Sequence, residues 1–402
     1  MFADFSAKPT INGNKNDYNQ IIFINGEFKI DKNVNLDSAN DMFNRIKIYD
    51  SDITNLSTIK GTLNNQVGIG QRERNDFIIN PSVTFPGNKL INRGTINLSG
   101  SNSIGIFNSG WKIAGIQNIG DIIVNKNSTG IYVLDKKNNV MQHGTGNIEN
   151  EGNIKIGENS IGIYYESEGD YPGYKFNANI LNKGTIKSTE NGAIGIYHNS
   201  SSPANKAVKN TGLIELTGDK SLGMYAAGTG EYDAENSGKI VIGNSFNKGN
   251  PGIGMYSDNE NILLNNTGTI SLGKDSIGMY GVKSLNNING KIELAGKGAV
   301  GIYVDENTAA VNAGTITTTN VDGGSLGVVG IKDSEFLNNG TISVNEGSVG
   351  VYGNGNNAIL KNEGIISVGR NSVGMYSAKG ATVENNKTIK LVGDDSIGMY
   401  VA

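Results

Sequence analysis

A pentapeptide of the form Ser-Ile-Gly-Ile/Met-Tyr recurs through most of this chain and limits the possible folds more than any other feature. It reads Ser103-Ile104-Gly105-Ile106-Phe107, Ser160-Ile161-Gly162-Ile163-Tyr164, Ser221-Leu222-Gly223-Met224-Tyr225 and Ser396-Ile397-Gly398-Met399-Tyr400, with looser copies centred on Gly130, Gly254, Gly301, Gly327, Gly350 and Gly374. Successive central glycines lie 23 to 33 residues apart, with a base period of about 24. A second motif precedes each pentapeptide: Asn92-Arg93-Gly94-Thr95-Ile96, Asn182-Lys183-Gly184-Thr185-Ile186, Asn266-Thr267-Gly268-Thr269-Ile270 and Asn338-Asn339-Gly340-Thr341-Ile342. Ile288 and Lys387 stand in the place of its Gly in two copies. A fixed period of this size is the mark of a repeat architecture, so the usual inference from length to two or three independent domains does not apply.

Both motifs alternate with period two, which places Ile96 and Leu98 on one face, and Ile104 and Ile106 opposite Ser103, Gly105 and Phe107. A weaker apolar pair, such as Leu263-Leu264 or Ile359-Leu360, lies between each pentapeptide and the next Asn. Runs of four or five residues rich in β-branched side chains are strands and not helices. Three such strands per ~24 residues cannot bury an apolar face alone, so the units must stack. The expected fold is all-β, a parallel β-helix whose coils carry three short strands around an aliphatic interior. Residues 86–402 form the regular array, while residues 1–85, where only Val67-Gly68-Ile69 echoes the pentapeptide, are expected to be irregular N-terminal coils and a cap. The chain ends directly after a pentapeptide, which is expected of a truncated array.

The polar repeats belong to the same scaffold. Asn92, Asn118, Asn150, Asn182, Asn210, Asn266 and Asn338 are expected at corners, where Asn tolerates left-handed backbone, Gly supplies positive φ, and stacked amides hydrogen-bond as a ladder. Tyr164, Tyr197, Tyr225, Tyr280 and Tyr376 are expected to point outward, stacking on one another and covering the Gly of the neighbouring coil.

Chemistry-bearing patterns are sparse. With no Cys, the chain has no thiolate zinc site, disulfide scaffold or cysteine nucleophile. Its 34 basic and 38 acidic residues leave no basic excess, so nucleic acid is not an expected partner. No catalytic, cofactor-binding or metal-ligating set emerges: the glycine-rich stretches lack the Lys-Ser/Thr of a phosphate loop, and His143 and His198 have no ligand spacing. Glu149, Glu151, Glu158, Glu166 and Glu168 are the densest acidic set and do not fall in one column, so the chain is not expected to be an enzyme. A β-helical carbohydrate-active enzyme and a pure structural spacer are the alternatives.

The irregular part of the repeat is the best pointer to a partner. Between the terminal aromatic and the next corner Asn lie 10 residues after Phe107, 17 after Tyr132, 17 after Tyr164 and 12 after Tyr197, against 5–10 later. Insertions at one corner of consecutive coils project side by side. Residues 108–117, 133–149, 165–181 and 198–209 hold Trp111, His143, Tyr165, Tyr171, Tyr174 and His198, and aromatic side chains on adjacent loops suit sugar stacking or interface anchoring. These six are the candidate partner-binding residues, and the expected partner is a glycan or protein on a host or bacterial surface.

The paired motifs, iterated in an Asn-, Ile- and Gly-rich context, resemble the passenger regions of large type V autotransporter adhesins of the fusobacterial kind. The resemblance covers roughly residues 86–402 and continues weakly into 1–85. It implies a monomeric β-helical stalk displayed on the cell surface, exported by a signal peptide, threaded through a C-terminal outer-membrane β-barrel, and active in bacterial coaggregation and host attachment. Neither signal peptide nor barrel is recognisable in the 402 residues. Absence of Cys suits threading, since a disulfide-closed loop would obstruct it. The matching motifs are scaffold, so the resemblance assigns no functional residue.

Overall fold

The computed structural model describes residues 2–4, 10–11, 21–38, 46–72, 88–109, 113–135, 146–167, 178–201, 208–246, 249–319 and 323–402. Among these the architecture is a parallel β-helix with three sheets and no α-helix. The chain divides into two compact units, Met1–Ser188 with Ile196–Lys206, and Thr189–Gly195 with Ala207–Ala402. Within each, from residue 46 onward, a coil adds one strand to each sheet, and the described strands pair in parallel with their equivalents in adjacent coils.

The first unit shows the pattern at Asn88–Asn92, Thr95–Leu98 and Ile104–Ser109. These pair with Ile113–Asn118, Asp121–Val124 and Thr129–Asp135 of the following coil. We name the sheets after their motif residues: the Asn sheet, the Thr-Ile sheet and the Tyr sheet. In the second unit, Ile262–Asn266, Thr269–Leu272 and Ile277–Gly281 are the equivalents. Regular pairing begins before residue 86. Ile46–Asn55, Thr58–Gly61 and Val67–Arg72 already supply one strand each to the three sheets. This coil is hard to recognise in the sequence because Ser57 stands where later copies have Gly.

The same Ile recurs at the same depth in coil after coil. Ile96, Ile122, Ile154 and Ile186 in the first unit, and Ile240, Ile270, Ile316 and Ile342 in the second, are buried on the Thr-Ile sheet. Each such side chain contributes roughly 1.5–3 kcal/mol of burial free energy. Strand spacing of about 4.8 Å brings each into contact with its copies above and below.

The interior also contains two polar columns. Asn55, Asn92, Asn118, Asn150 and Asn182 are fully buried, and each Nδ2 donates to the Oδ1 of the next, at 2.8, 2.7, 2.7 and 2.7 Å. A second ladder runs from Asn210 through Asn236, Asn266, Asn286, Asn312, Asn338 and Asn362 to Asn385 at 2.7–2.8 Å. The other column consists of the pentapeptide serines: the Ser103 and Ser128 amides donate to Ser128 Oγ and Ser160 Oγ, both at 2.9 Å.

Two expectations about the corners need correction. The ladder Asn and the Gly after it do not take up left-handed backbone. That role falls to the residue just before the pentapeptide Ser or Ala: Asn102, Asn127, Asn159 and Asp275 at φ of 51–56°, or Gly192 and Gly298. The glycine of Asn-x-Gly is required by closeness instead. The Asn92 carbonyl accepts from both Ile119 N (2.7 Å) and Gly120 N (3.0 Å) of the next coil, and a Cβ on Gly120 would sit 1.9 Å from Gly94 O. Where Ile288 breaks the motif, the ladder continues through Asn286. Gly290 makes the close approach, with Ile288 left 75% exposed.

The pentapeptide also departs from simple alternation. Ser103 and Gly105 are buried, Ile104 is half-buried, and Ile106 is buried directly after Gly105. Register passes from Ile104↔Thr129 straight to Ile106↔Ile131, so the glycines drop out of the ladder and shift the phase by one residue. Phe107 and the tyrosines therefore face outward, but the glycines do not lie beneath them. A Cβ on Gly130 would meet Gly162 O at 2.6 Å and Ile154 Cγ2 at 2.7 Å, so the missing side chain is room taken by the neighbouring coil's Ile.

Two substitution pairs test this packing. Gly130→Ala should cost about 1–3 kcal/mol by overpacking, while Gly398→Ala, with nothing within 4 Å, should stay within about 0.5 kcal/mol of the parent in urea unfolding. Asn266→Ala leaves the Asn236 amide and the Asn286 carbonyl without their rung and should cost roughly 2–4 kcal/mol. Its outward neighbour Asn265→Ala should change stability by less than about 0.5 kcal/mol.

Candidate functional site

The Tyr sheet of the first unit differs from its counterpart in the second by being longer. Thr129–Asp135, Ile161–Ser167 and Ile194–Ser200 continue three residues past the tyrosine, whereas Ile277–Gly281 stops one residue after it. The extensions keep period-two alternation: Tyr132, Leu134, Tyr164, Glu166, Tyr197 and Asn199 face outward, and Val133, Asp135, Tyr165, Ser167, His198 and Ser200 face inward. Register stacks Asn108 on Val133 and Val133 on Tyr165, with Asp135 beside Ser167.

The inward extension forms a buried cluster. Tyr165 stacks on His198 with ring centroids 4.9 Å apart and planes 17° from parallel. Tyr165 Oη donates to Asp135 Oδ2 at 3.0 Å, and the Ser167 and Ser200 hydroxyls lie 2.9 Å apart. Tyr165, His198, Asp135 and Ser200 have no exposed surface. The expectation that Tyr165 and His198 project from loops toward a partner is therefore corrected. Both are strand residues filling the widened interior, and their alternation with Glu166 and Asn199 is the sequence signal that they continue a strand. The inserted segments are correspondingly shorter than expected, since residues 133–135, 147–149, 165–167, 180–181 and 198–200 are strand. Trp111, His143, Tyr171 and Tyr174 lie outside the described residues.

The outward extension carries the exposed chemistry. Phe107, Tyr132, Tyr164 and Tyr197 form one stack with centroid separations of 5.6, 4.7 and 4.9 Å, and the two tyrosine pairs are 3° and 4° from parallel. Tyr164 Oη donates to Glu166 Oε2 at 2.5 Å, and Asn199 Nδ2 reaches Glu166 Oε1 at 3.5 Å. Partial burial, then the Glu166 hydrogen bond and charge, push the Tyr164 phenol well above its ordinary value. In the second unit Tyr225, Tyr256, Tyr280 and Tyr303 also follow one another at 5.0–5.3 Å, but their planes are 52–74° apart. Val329 interrupts that column before Tyr352, Tyr376 and Tyr400 resume it.

Charges elsewhere on the surface pair locally. Lys183 Nζ lies 3.2 Å from Glu149 and 3.0 Å from Glu151, Lys209 pairs with Glu235 at 2.9 Å, and Lys291 with Glu293 at 2.6 Å. Exposed pairs of this kind contribute roughly 0–1 kcal/mol each. Among the described residues no group of three or more His, Asp or Glu side chains is placed to hold a metal ion.

The buried His198 gives this region a defined acid response. Burial lowers its pKa from 6.5 to about 3, so the folded chain holds it neutral. The unfolded chain binds the proton first as pH falls, so the stability linked to His198 is fully present above about 6.5, declines below it and levels off near 3. His198→Phe should flatten the stability profile between pH 6.5 and 4 relative to the parent, measured by urea midpoints across that range. An unchanged acid slope would mean that His198 is not buried as described.

The model of one protein family, the BigA third pectate lyase-like domain, matches the chain twice in tandem, over residues 173–284 and 278–402. No curated protein and no solved structure gives a match.

Proposed function

Starting from a chain that belongs to the BigA third pectate lyase-like domain family, whose model covers more than half of it, we propose that it is a passenger module of a bacterial surface protein and attaches the cell to other bacteria or to host cells. The observation that carries this reading is the contrast between inside and outside. Buried positions repeat from coil to coil, as in the Asn ladders and the Ile columns. Outward positions on the same strands change freely: Lys155, Lys187 and Glu215 occupy equivalent places, as do Val241, Ser271 and Glu293. A scaffold that holds its interior constant while its surface varies suits presentation of contact residues to partners. The resemblance to fusobacterial-type adhesin passengers agrees with cell-surface localisation and with type V export. The expected partner is a surface glycan or protein met through residues 136–145 and 168–177, which contain His143, Tyr171 and Tyr174.

The chain immobilised on beads should retain whole bacterial or epithelial cells under washing. Replacing residues 136–145 and 168–177 with short Gly-Ser linkers should reduce retention at least tenfold while leaving the circular dichroism of the β-helix unchanged. Equal retention by parent, deletion variant and blank beads would remove the adhesive reading and leave a spacer. Shortened or unsaturated products from a panel of polysaccharides would assign a carbohydrate-active enzyme instead.

A further inference from the structure

The two tyrosine columns differ in geometry in a way that bears on oxidation chemistry. In the first unit Tyr132, Tyr164 and Tyr197 are half-buried, outward-facing and stacked with nearly parallel ring planes, with centroids 4.7 and 4.9 Å apart. A phenoxyl radical carries its unpaired electron in the π system, on the oxygen and on the ring carbons ortho and para to it. The para carbon of tyrosine is already substituted, so carbon–carbon coupling uses the ortho positions. The π lobes point along the ring normal, so two rings stacked face to face in register direct their ortho lobes at each other. Two rings in an edge-to-face contact do not.

A proton acceptor is already in place. Tyr164 Oη donates to the Glu166 carboxylate at 2.5 Å, so loss of an electron from the ring can be accompanied by transfer of the phenolic proton to Glu166. The second unit offers an internal control: Tyr280 likewise donates to the Asp305 carboxylate, but its ring lies 74° from the plane of Tyr256 and 58° from that of Tyr303. The acceptor is present there and the stack is absent.

We propose that the Tyr132–Tyr164–Tyr197 column is a site of oxidative cross-linking, at which a haem peroxidase with hydrogen peroxide joins neighbouring coils through dityrosine. Each of two tyrosines gives up one electron and its phenolic proton, and one hydrogen peroxide accepts both pairs and becomes two waters. The two phenoxyl radicals form one ortho C–C bond, and the two ortho hydrogens then move to the oxygens as the rings regain aromaticity. Net, two C–H bonds break, one C–C bond forms, and the protein loses two hydrogen atoms per link. A link from Tyr132 to Tyr164 closes a covalent loop around a whole coil. Phe107 cannot form a phenoxyl radical and terminates the reactive column at one end.

The test treats the full chain with horseradish peroxidase and hydrogen peroxide at low protein concentration, then maps peptides by mass spectrometry. Peptides joining Tyr132 to Tyr164 and Tyr164 to Tyr197, each two hydrogens lighter than the sum of its parts, are expected within single chains, and no peptide joining Tyr256 to Tyr280. Tyr164→Phe keeps the stack but leaves Tyr132 and Tyr197 about 9.6 Å apart, two strand spacings, and should abolish both links. Glu166→Gln keeps the rings and removes the carboxylate acceptor, and should slow linking at least fivefold. Links spread evenly over both columns, links only between separate chains, or unchanged linking in Tyr164→Phe would each overturn the proposal.

Discussion

A buried Asn side chain can be tolerated only if both ends of its amide are satisfied, and in this fold the partners are the same residue in the coils above and below. This requirement sets the spacing. Nδ2 of Asn118 reaches Oδ1 of Asn150 at 2.7 Å only when the two strands sit side by side in register. A slip by one residue would bury an outward side chain such as Glu149 and strand an amide in apolar surroundings, at a cost of roughly 1–3 kcal/mol per unsatisfied group. The register fixed at the ladder extends round the coil. The Asn carbonyl takes two amides of the next coil, which is possible because a glycine follows, and the approach of those backbones leaves no room for a Cβ. The pentapeptide glycine plays a similar part on the Tyr sheet, where the Ile of an adjacent coil occupies the volume its side chain would need.

Much of this was legible in the sequence because a solenoid writes its contacts as identical residues at a fixed interval. The three strands, their parallel stacking and the Asn ladder follow from the recurrence of Asn-x-Gly-Thr-Ile and Ser-Ile-Gly-Ile-Tyr. The orientation within the pentapeptide did not follow, because alternation assumes a continuous ladder, and the glycines at 105 and 130 leave it and bring two consecutive positions indoors. Left-handed corners lie one motif away from the ladder Asn, and the sequence conceals this because Asn is frequent both at ladder positions and at turn positions such as Asn102 and Asn127. The coil over residues 46–72 was hidden by a single replacement, Ser57 for Gly.

Of the candidate site, the sequence shows where the coils lengthen but not which side chains of the lengthened coils face outward. The lengthened intervals after Tyr132, Tyr164 and Tyr197 do mark a distinct part of the first unit. Their first three residues extend strands, however, and the extra width has to be filled. Tyr165 and His198 fill it as a buried stacked pair, with Asp135 receiving the Tyr165 hydroxyl. Of the outward contacts of the same extension, Tyr164 reaches Glu166 two residues along its own strand, whereas Asn199 reaches Glu166 from the next coil, a pairing that only the register reveals. Interior repetition thus supplies the scaffold, and the departures from it, the long coils and the parallel tyrosines, are where the proposed contacts and cross-links fall.

Side-chain amide hydrogen exchange tests most directly the claim that buried Asn ladders hold the coils in register. Nuclear magnetic resonance of the Asn carboxamide groups in deuterated buffer should show Asn118, Asn150, Asn236, Asn266 and Asn312 protected to the same degree as the backbone amides of their strands, with outward Asn97 and Asn265 exchanging orders of magnitude faster. Ladder and outward carboxamides exchanging at the same rate, with the strand backbone still protected, would contradict the account.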